Sequence, residues 1–158
     1  MCAKVMFEEL QKGFRKVTVE KLQIGALVET VLSEDEGMVF KNGRTEKPKK
    51  IIIIGFDKTK ERFFGSVLVN SEVSPKSSFS IEYLATQYLL EQTHYPNFLR
   101  YDSYADCGML FSIPKEKLLR GQYFGMLTED DKNGIFDILE TTDVLSTKIK
   151  KQFGIRRR

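Results

Sequence analysis

The residues with the clearest capacity for chemistry are basic, and they are concentrated in two segments. Residues 41–62 contain eight lysines and arginines against three acidic residues, and the tail 148–158 contains six against none. The segment 129–143 is acidic, with six acidic residues against Lys132 alone. Such a segregation of charge predicts an anionic partner near the basic segments. The alternative interpretation is that the lysines only keep a sheet edge and a chain end soluble.

Other kinds of site have little support in the sequence. The glycine-rich phosphate loops GxGxxG and GxxxxGK[ST] and the nucleophile elbow GxSxG are absent from the chain. One histidine and two distant cysteines, Cys2 and Cys107, do not have metal-ligand spacing. We therefore expect no metal and no cofactor. The few cysteines and the lack of a long apolar run lead us to expect a cytoplasmic protein with no membrane anchor.

The elements that must position the basic side chains start with short strands. We expect strands at residues 25–32, around Ile51–Ile54, and at 62–69. Four consecutive isoleucines have stiff, branched side chains that favour a pleated strand, and an uninterrupted apolar strand is buried on both faces. Gly65 inside the third strand predicts a bulge or a sharp bend.

The second half of the chain adds helices. Residues 79–92 have the apolar spacing of a helix, and 99–113 reads as a strand pair or one bent strand. Thr128, followed by acidic residues, predicts the start of a helix that ends near Glu140, with another helix at 143–154. We therefore predict an α+β fold, a small barrel or strongly curled antiparallel sheet with packed helices. A single domain would span 1–158, with its core at about 22–140 and a basic C-terminal helix and tail at 143–158.

Two sets of sequence motifs follow one another in an order that resembles the motif order of a known protein family. The first set is SYADC at 103–107 with GMLTEDD at 125–131, and the second is GALV at 25–28, KKIIIIGFD at 49–57 and FFGSVLVNS at 63–71. Together they resemble the MazF/PemK/Kid family of bacterial toxins, which are small SH3-like barrels that cleave messenger RNA. The resemblance covers about 25–140. It implies an SH3-like barrel, a homodimer, single-stranded RNA as ligand, and an acidic antitoxin protein as partner.

The resemblance also implies a site for metal-independent RNA cleavage, which needs a base, a cation and an acid. The catalytic candidates are Lys50, Ser71 and Asp106, and the binding candidates are Asn70, Arg62, Arg100, Ser103, Tyr104 and His94. The sequence departs from the family in the position of Pro48 before the lysine pair, in a longer insertion from Pro75 to Pro96, in residues 141–158, which have no counterpart, and at three further positions. Lys50 stands where the family has an arginine, Asn70-Ser71 where threonine is usual, and Cys107 where glutamine often follows the aspartate.

Each candidate also has a structural explanation. The lysines can flank a strand for solubility, His94 can complement a helix end, and Asp106 can serve as a buried hydrogen-bond acceptor. Tyrosines 101 and 104 can stack on bases or belong to the core.

Three functional hypotheses follow. The first is a divergent toxin-type protein that binds single-stranded RNA and cleaves it as an endoribonuclease; whether it is an enzyme stays open. The second is a non-catalytic SH3-like barrel that binds a protein or nucleic-acid partner in a mobile element or defence system. The third is an unrelated α+β domain whose basic tail alone contacts nucleic acid.

Overall fold

The computed structural model describes residues 15–40, 43–69 and 81–155. Within these ranges the strands are β1 (Ala26–Ser33), β2 (Glu46–Phe56), β3 (Arg62–Val69), β4 (Gln87–Leu90), β5 (Ser103–Pro114) and β6 (Gln122–Met126). The α-helices are α1 (Ile81–Leu84), α2 (Lys115–Leu119), α3 (Glu129–Thr141) and α4 (Thr147–Gln152), with short 3-10 turns at Val19–Lys21, Glu34–Glu36 and Gln92–His94. The predicted α+β class is therefore confirmed.

All six described strands belong to one antiparallel sheet in the order β4-β5-β3-β2-β1-β6. The sheet is open, with β4 and β6 at its two ends. Three of its ladders, β1–β6, β2–β3 and β3–β5, contain a shift of register. Such irregularities increase local twist and bend the strand that carries the extra residues.

The four isoleucines of β2 divide between the two faces of the sheet, as the sequence predicted. Ile51 and Ile53 belong to one hydrophobic cluster, which Leu118 of α2 also joins. Ile52 and Ile54 belong to the other, with Ile135 and Leu139 of α3. None of the four is more than 3% exposed. Because burial of one such side chain contributes about 1.5–3 kcal/mol, this strand is the centre of the core.

The β2–β3 ladder is irregular next to Gly65, but the extra residue is Ile54 of β2 and not a residue of the strand that contains the glycine. Ile53 pairs with Gly65, and the register then shifts so that Gly55 pairs with Phe64. A Cβ atom at Gly65 would lie 2.5 Å from Cγ2 of Ile51, which is too close for any larger residue. Glycine is therefore required here because the isoleucine strand packs directly against it.

The helix predicted for residues 79–92 is wrong over most of its length. In the described part only Ile81–Leu84 is helical, and Gln87–Leu90 forms the edge strand β4. Tyr88 is half-buried, Leu89 exposed and Leu90 buried, which is the alternation of a strand. The local apolar spacing suited a helix, but β5 offers this segment a ladder of backbone hydrogen bonds.

The remaining expectations are met in part. Residues 103–114 form one bent strand, because Leu68 pairs with Ala105 whereas Ser66 pairs with Leu110. Thr128 caps α3 as predicted, its hydroxyl oxygen accepting the N–H of Asp131 at 3.2 Å. The last helix begins at residue 147, not 143. Ser146 supplies its N-terminal cap, by accepting the N–H of Ile149. No helix in the described ranges has both the length and the apolar character needed to cross a bilayer.

Candidate nucleic-acid interface

A cavity of about 200 Å³ lies where the start of β2 meets the segment that leads into β5. The charged residues that line it are Lys47, Lys49, Lys50, Arg100 and Glu29. Alternation along β2 directs the Lys50 side chain to the face of Glu29 and those of Lys47 and Lys49 to the opposite face, so Lys50 and Arg100 are the lining cations nearest to this carboxylate. We call this site the basic cavity. A concave surface with such an excess of positive charge attracts anions and concentrates them near its walls.

Lys50 is positioned by the β1–β2 ladder, which places it directly opposite Glu29. The Nζ atom of Lys50 lies 3.4 Å from Oε2 of Glu29, and both side chains are about one third exposed, at 32% and 34%. The adjacent residues Val28 and Ile51 are fully buried, so the backbone at this point is fixed by the core. Because an ion pair at this exposure contributes about 0–1 kcal/mol, both groups can exchange their contact for a ligand at little cost.

Lys49 and Lys47 increase the positive potential of the basic cavity. Burial lowers the pKa of the Lys49 ammonium, and the charge of Lys47 lowers it further. Both effects mean that the charged form of Lys49 is less favourable here than in water. An anion bound near these two ammonium groups would offset the second effect.

The opposite wall is the segment 98–103, which enters β5. Phe98 and Leu99 are buried at 3% exposure and anchor it in the core. Arg100 and Tyr101 then project at the surface, and the Tyr101 side chain is 51% exposed. The buried Ser103 hydroxyl donates to the carbonyl of Tyr101 at 3.0 Å. The structure thus brings together three of the predicted residues, Lys50, Arg100 and Ser103.

Asp106 lies outside the basic cavity, and this separates two of the predicted catalytic residues. On β5 its neighbour Ala105 points into the same cluster as Ile52, the residue two positions after Lys50 on β2. Alternation along β5 therefore directs Asp106 to the other face of the sheet. The sequence-based placement of Lys50 and Asp106 in one site does not agree with this arrangement.

The surroundings of Asp106 point to a structural role. Its carboxylate accepts the Tyr83 hydroxyl at 2.6 Å, the Gln87 side-chain amide at 3.0 Å and the Gly108 N–H at 3.0 Å. The residue is only 6% exposed. Burial raises the pKa of Tyr83, and the adjacent Asp106 raises it further, so Tyr83 stays a hydrogen-bond donor. Asp106 therefore joins β4, α1 and the bulge of β5.

The other predicted residues are dispersed. Arg62 donates to the hydroxyl and carbonyl oxygens of Ser112 at 2.7 and 3.0 Å, at the end of β3 that is remote from the cavity residue Val69. His94 lies 3.6 Å from Glu91. Tyr104 is half-buried on β5, where it pairs with Val69 and Leu89. Asn70 and Ser71 lie outside the described residues.

A larger cavity of about 640 Å³ adjoins the basic cavity, and the two share Glu29 and Pro48. Its charged lining is otherwise Glu34, Asp35, Glu46, Lys117 and Arg120. Lys117 is committed to an ion pair, since its Nζ lies 2.6 Å from Oε1 of Glu36, whose side chain is 2% exposed. The net charge of this second cavity therefore does not favour anions.

Sequence reasoning missed Glu29. The signal was present, because Glu29 is the one charged residue in the otherwise apolar or neutral segment Gly25–Leu32. A carboxylate in such a strand needs a partner, and only the register of β1 on β2 shows that the partner is Lys50.

In the described residues no group of three or more His, Cys, Asp or Glu side chains is arranged to hold a metal ion. Comparison of the chain with protein-family models and with curated proteins finds no match.

Proposed function

We propose that this chain binds single-stranded RNA in the basic cavity, as a divergent MazF/PemK-like toxin-type protein. The observation that carries the proposal is that Lys50 and Arg100 line one small concave site, with Lys47 and Lys49 also among its lining residues. These residues come from two separate segments of the chain, which only the fold brings together.

The chemistry of the lining supports RNA as the anion. Arg100 offers a planar fork of donors that matches the oxygens of a phosphate, and the lysines supply point charges beside it. Tyr101 adds an exposed aromatic ring at the same site, on which an unpaired base can stack. Because stacking requires a base that is free of a duplex, this combination favours a single strand.

The proposal includes the finer fold and the partners that the resemblance implies. An SH3-like barrel is the finer fold that the resemblance implies, and the register shifts in three ladders are irregularities that such barrels use at their corners. An acidic antitoxin protein would compete with RNA for the same cations. A homodimer is the assembly that the resemblance implies.

Binding of a labelled single-stranded oligoribonucleotide, followed by fluorescence anisotropy, tests the proposal. Lys50→Ala and Arg100→Ala should each weaken affinity about tenfold near 0.1 M salt and reduce the slope of log affinity against log salt by about 1. Lys58→Ala is the matched control, because Lys58 is exposed in the β2–β3 turn and does not line the basic cavity. Equal effects of all three substitutions, or no binding by the wild type, would refute the site.

A non-catalytic binding module is the second candidate function. It is favoured by the separation of Lys50 from Asp106, which leaves the predicted catalytic set incomplete. Retained RNA or protein binding without cleavage of any RNA would select this candidate. If deletion of residues 155–158 alone abolished RNA binding and its salt dependence, the tail and not the basic cavity would be the binding element.

A further inference from the structure

We infer that Glu29 is the general base and Lys50 the general acid for cleavage of RNA held in the basic cavity. This inference rests on the proposed function, because it needs RNA as the ligand. It replaces Asp106, which lies on the other face of the sheet, with a carboxylate that the fold places directly beside the cations.

Glu29 meets the geometric requirement for a base. It is the carboxylate among the described residues that line the basic cavity, and about one third of its side chain is exposed to a ligand. The oxygens of Asp106 are already occupied by donors from Tyr83, Gln87 and Gly108, so that carboxylate has no access to a substrate proton. Glu29 exchanges only an exposed ion pair when it engages a ligand.

The backbone of Glu29 is held firmly from both sides. On one side its partner in the ladder is Lys50, and on the other it pairs with Gln122 of β6. The turn before β6 packs so closely that a Cβ atom on Gly121 would collide with the Glu29 carbonyl oxygen. A base on a strand fixed in this way is preorganised for its substrate, which reduces the entropy lost when the reactive geometry forms.

The proton transfers balance without any further reactant. Glu29 takes the proton of a ribose 2′-hydroxyl while O2′ forms a bond to the adjacent phosphorus. The bond between phosphorus and O5′ breaks, and the Lys50 ammonium gives a proton to O5′. The products are a 2′,3′-cyclic phosphate and a 5′-hydroxyl. The protonated Glu29 and the neutral Lys50 lie 3.4 Å apart, so one proton transfer between them restores both groups.

Arg100 has a different part in this scheme. Its guanidinium donates hydrogen bonds to the non-bridging oxygens and stabilises the negative charge that develops on them. The three roles of base, acid and charge stabiliser are thereby assigned to Glu29, Lys50 and Arg100, which all line the basic cavity.

The experiment measures binding and cleavage separately on the full-length chain. Affinity is measured with an oligomer that carries 2′-deoxy sugars throughout and cannot be cleaved, and cleavage with the matching RNA, with products identified by mass spectrometry. Glu29→Gln should bind within about threefold of the wild type and cleave at least 100-fold more slowly, which is the scale of a lost general base. Lys50→Ala should lose about tenfold in affinity and at least 100-fold in cleavage rate, because it removes the proton donor as well as one charge.

Glu46→Gln is the matched control, since Glu46 is exposed at the start of β2 and lines only the larger cavity; it should cleave at the wild-type rate. Wild-type protein that binds the oligomer but yields no cyclic phosphate from RNA would overturn the inference and leave the proposed binding function intact. Unchanged cleavage by Glu29→Gln would also overturn it. Failure of the wild type to bind both this oligomer and the matching RNA would refute the proposed function and the inference together.

Discussion

Glu29 and Lys50 lie directly opposite one another on β1 and β2, with 3.4 Å between the carboxylate and the ammonium. Glu29 also lines the larger, more acidic cavity, so the pair marks the boundary between two cavities of different charge. The pair is exposed enough to open for a ligand, which distinguishes it from the buried ion pair of Lys117 and Glu36.

Lys117→Ala should be severely destabilising. The Glu36 side chain is 2% exposed, and it accepts two contacts from the Lys117 ammonium, at 2.6 and 2.8 Å. Removal of the lysine leaves a buried carboxylate without its counter-ion, which typically costs 3–5 kcal/mol of the free energy of unfolding. Urea denaturation measures the change.

Lys115→Ala is the control for that substitution. Lys115 forms an ion pair at 3.2 Å with Glu61, whose side chain is 62% exposed. Its loss should cost about 0–1 kcal/mol. A loss of under 1 kcal/mol for both variants would show that the Lys117–Glu36 pair does not hold α2 against the 3-10 turn Glu34–Glu36.

Stability should fall as the pH rises from about 10 to about 12. Burial raises the pKa of Tyr88 to about 12, with further contributions from its hydrogen bond to Asp131 and the nearby acidic charges. The unfolded tyrosine titrates near pH 10. Its contribution to stability is therefore complete below about pH 10 and is lost as the pH rises towards the folded pKa.

Denaturant unfolding of wild type and Tyr88→Phe at several alkaline pH values measures this effect. The variant should show a shallower decline, because one raised pKa has been removed. The difference in tyrosinate absorbance between the two folded proteins should develop near pH 12. Its appearance near pH 10 would contradict the assigned environment of Tyr88.

Asp106→Ala should reduce stability without reducing RNA affinity. The substitution leaves donors of Tyr83, Gln87 and Gly108 without their acceptor, at about 1–3 kcal/mol for a buried unsatisfied group. Thermal unfolding and anisotropy on the same preparation separate the two effects. A folded variant with normal stability and greatly weakened RNA binding would show that Asp106 is part of the binding site.

The features that the sequence predicted are those with local causes. Four branched isoleucines favour a buried strand through their own stiff side chains, and Thr128 caps α3 through the N–H of a residue three positions away. Residues 87–90 were misassigned because their pairing partner, β5, follows a turn and an irregular segment. The apolar spacing within that stretch suited a helix, but pairing with the distant strand β5 makes it a strand.

The candidate site was half predictable for the same reason. Lys50 and Arg100 stand out by charge, yet their meeting depends on the β3–β5 pairing and on the anchoring of Phe98 and Leu99 in the core. The separation of Asp106 from Lys50 follows from strand alternation beside a multi-residue bulge, whose length no local pattern reveals. Glu29 could be noticed in the sequence, but its partner could not.

The most direct test of the central claim is a map of amide chemical shifts as a short single-stranded oligoribonucleotide is added near 0.1 M salt. The account predicts that the largest changes fall at residues 47–50 and 99–103, with Glu29 as the next most affected position. Perturbations confined to residues after 147, or to Glu34, Asp35 and Arg120 in the larger cavity, would contradict the account, as would an unchanged spectrum.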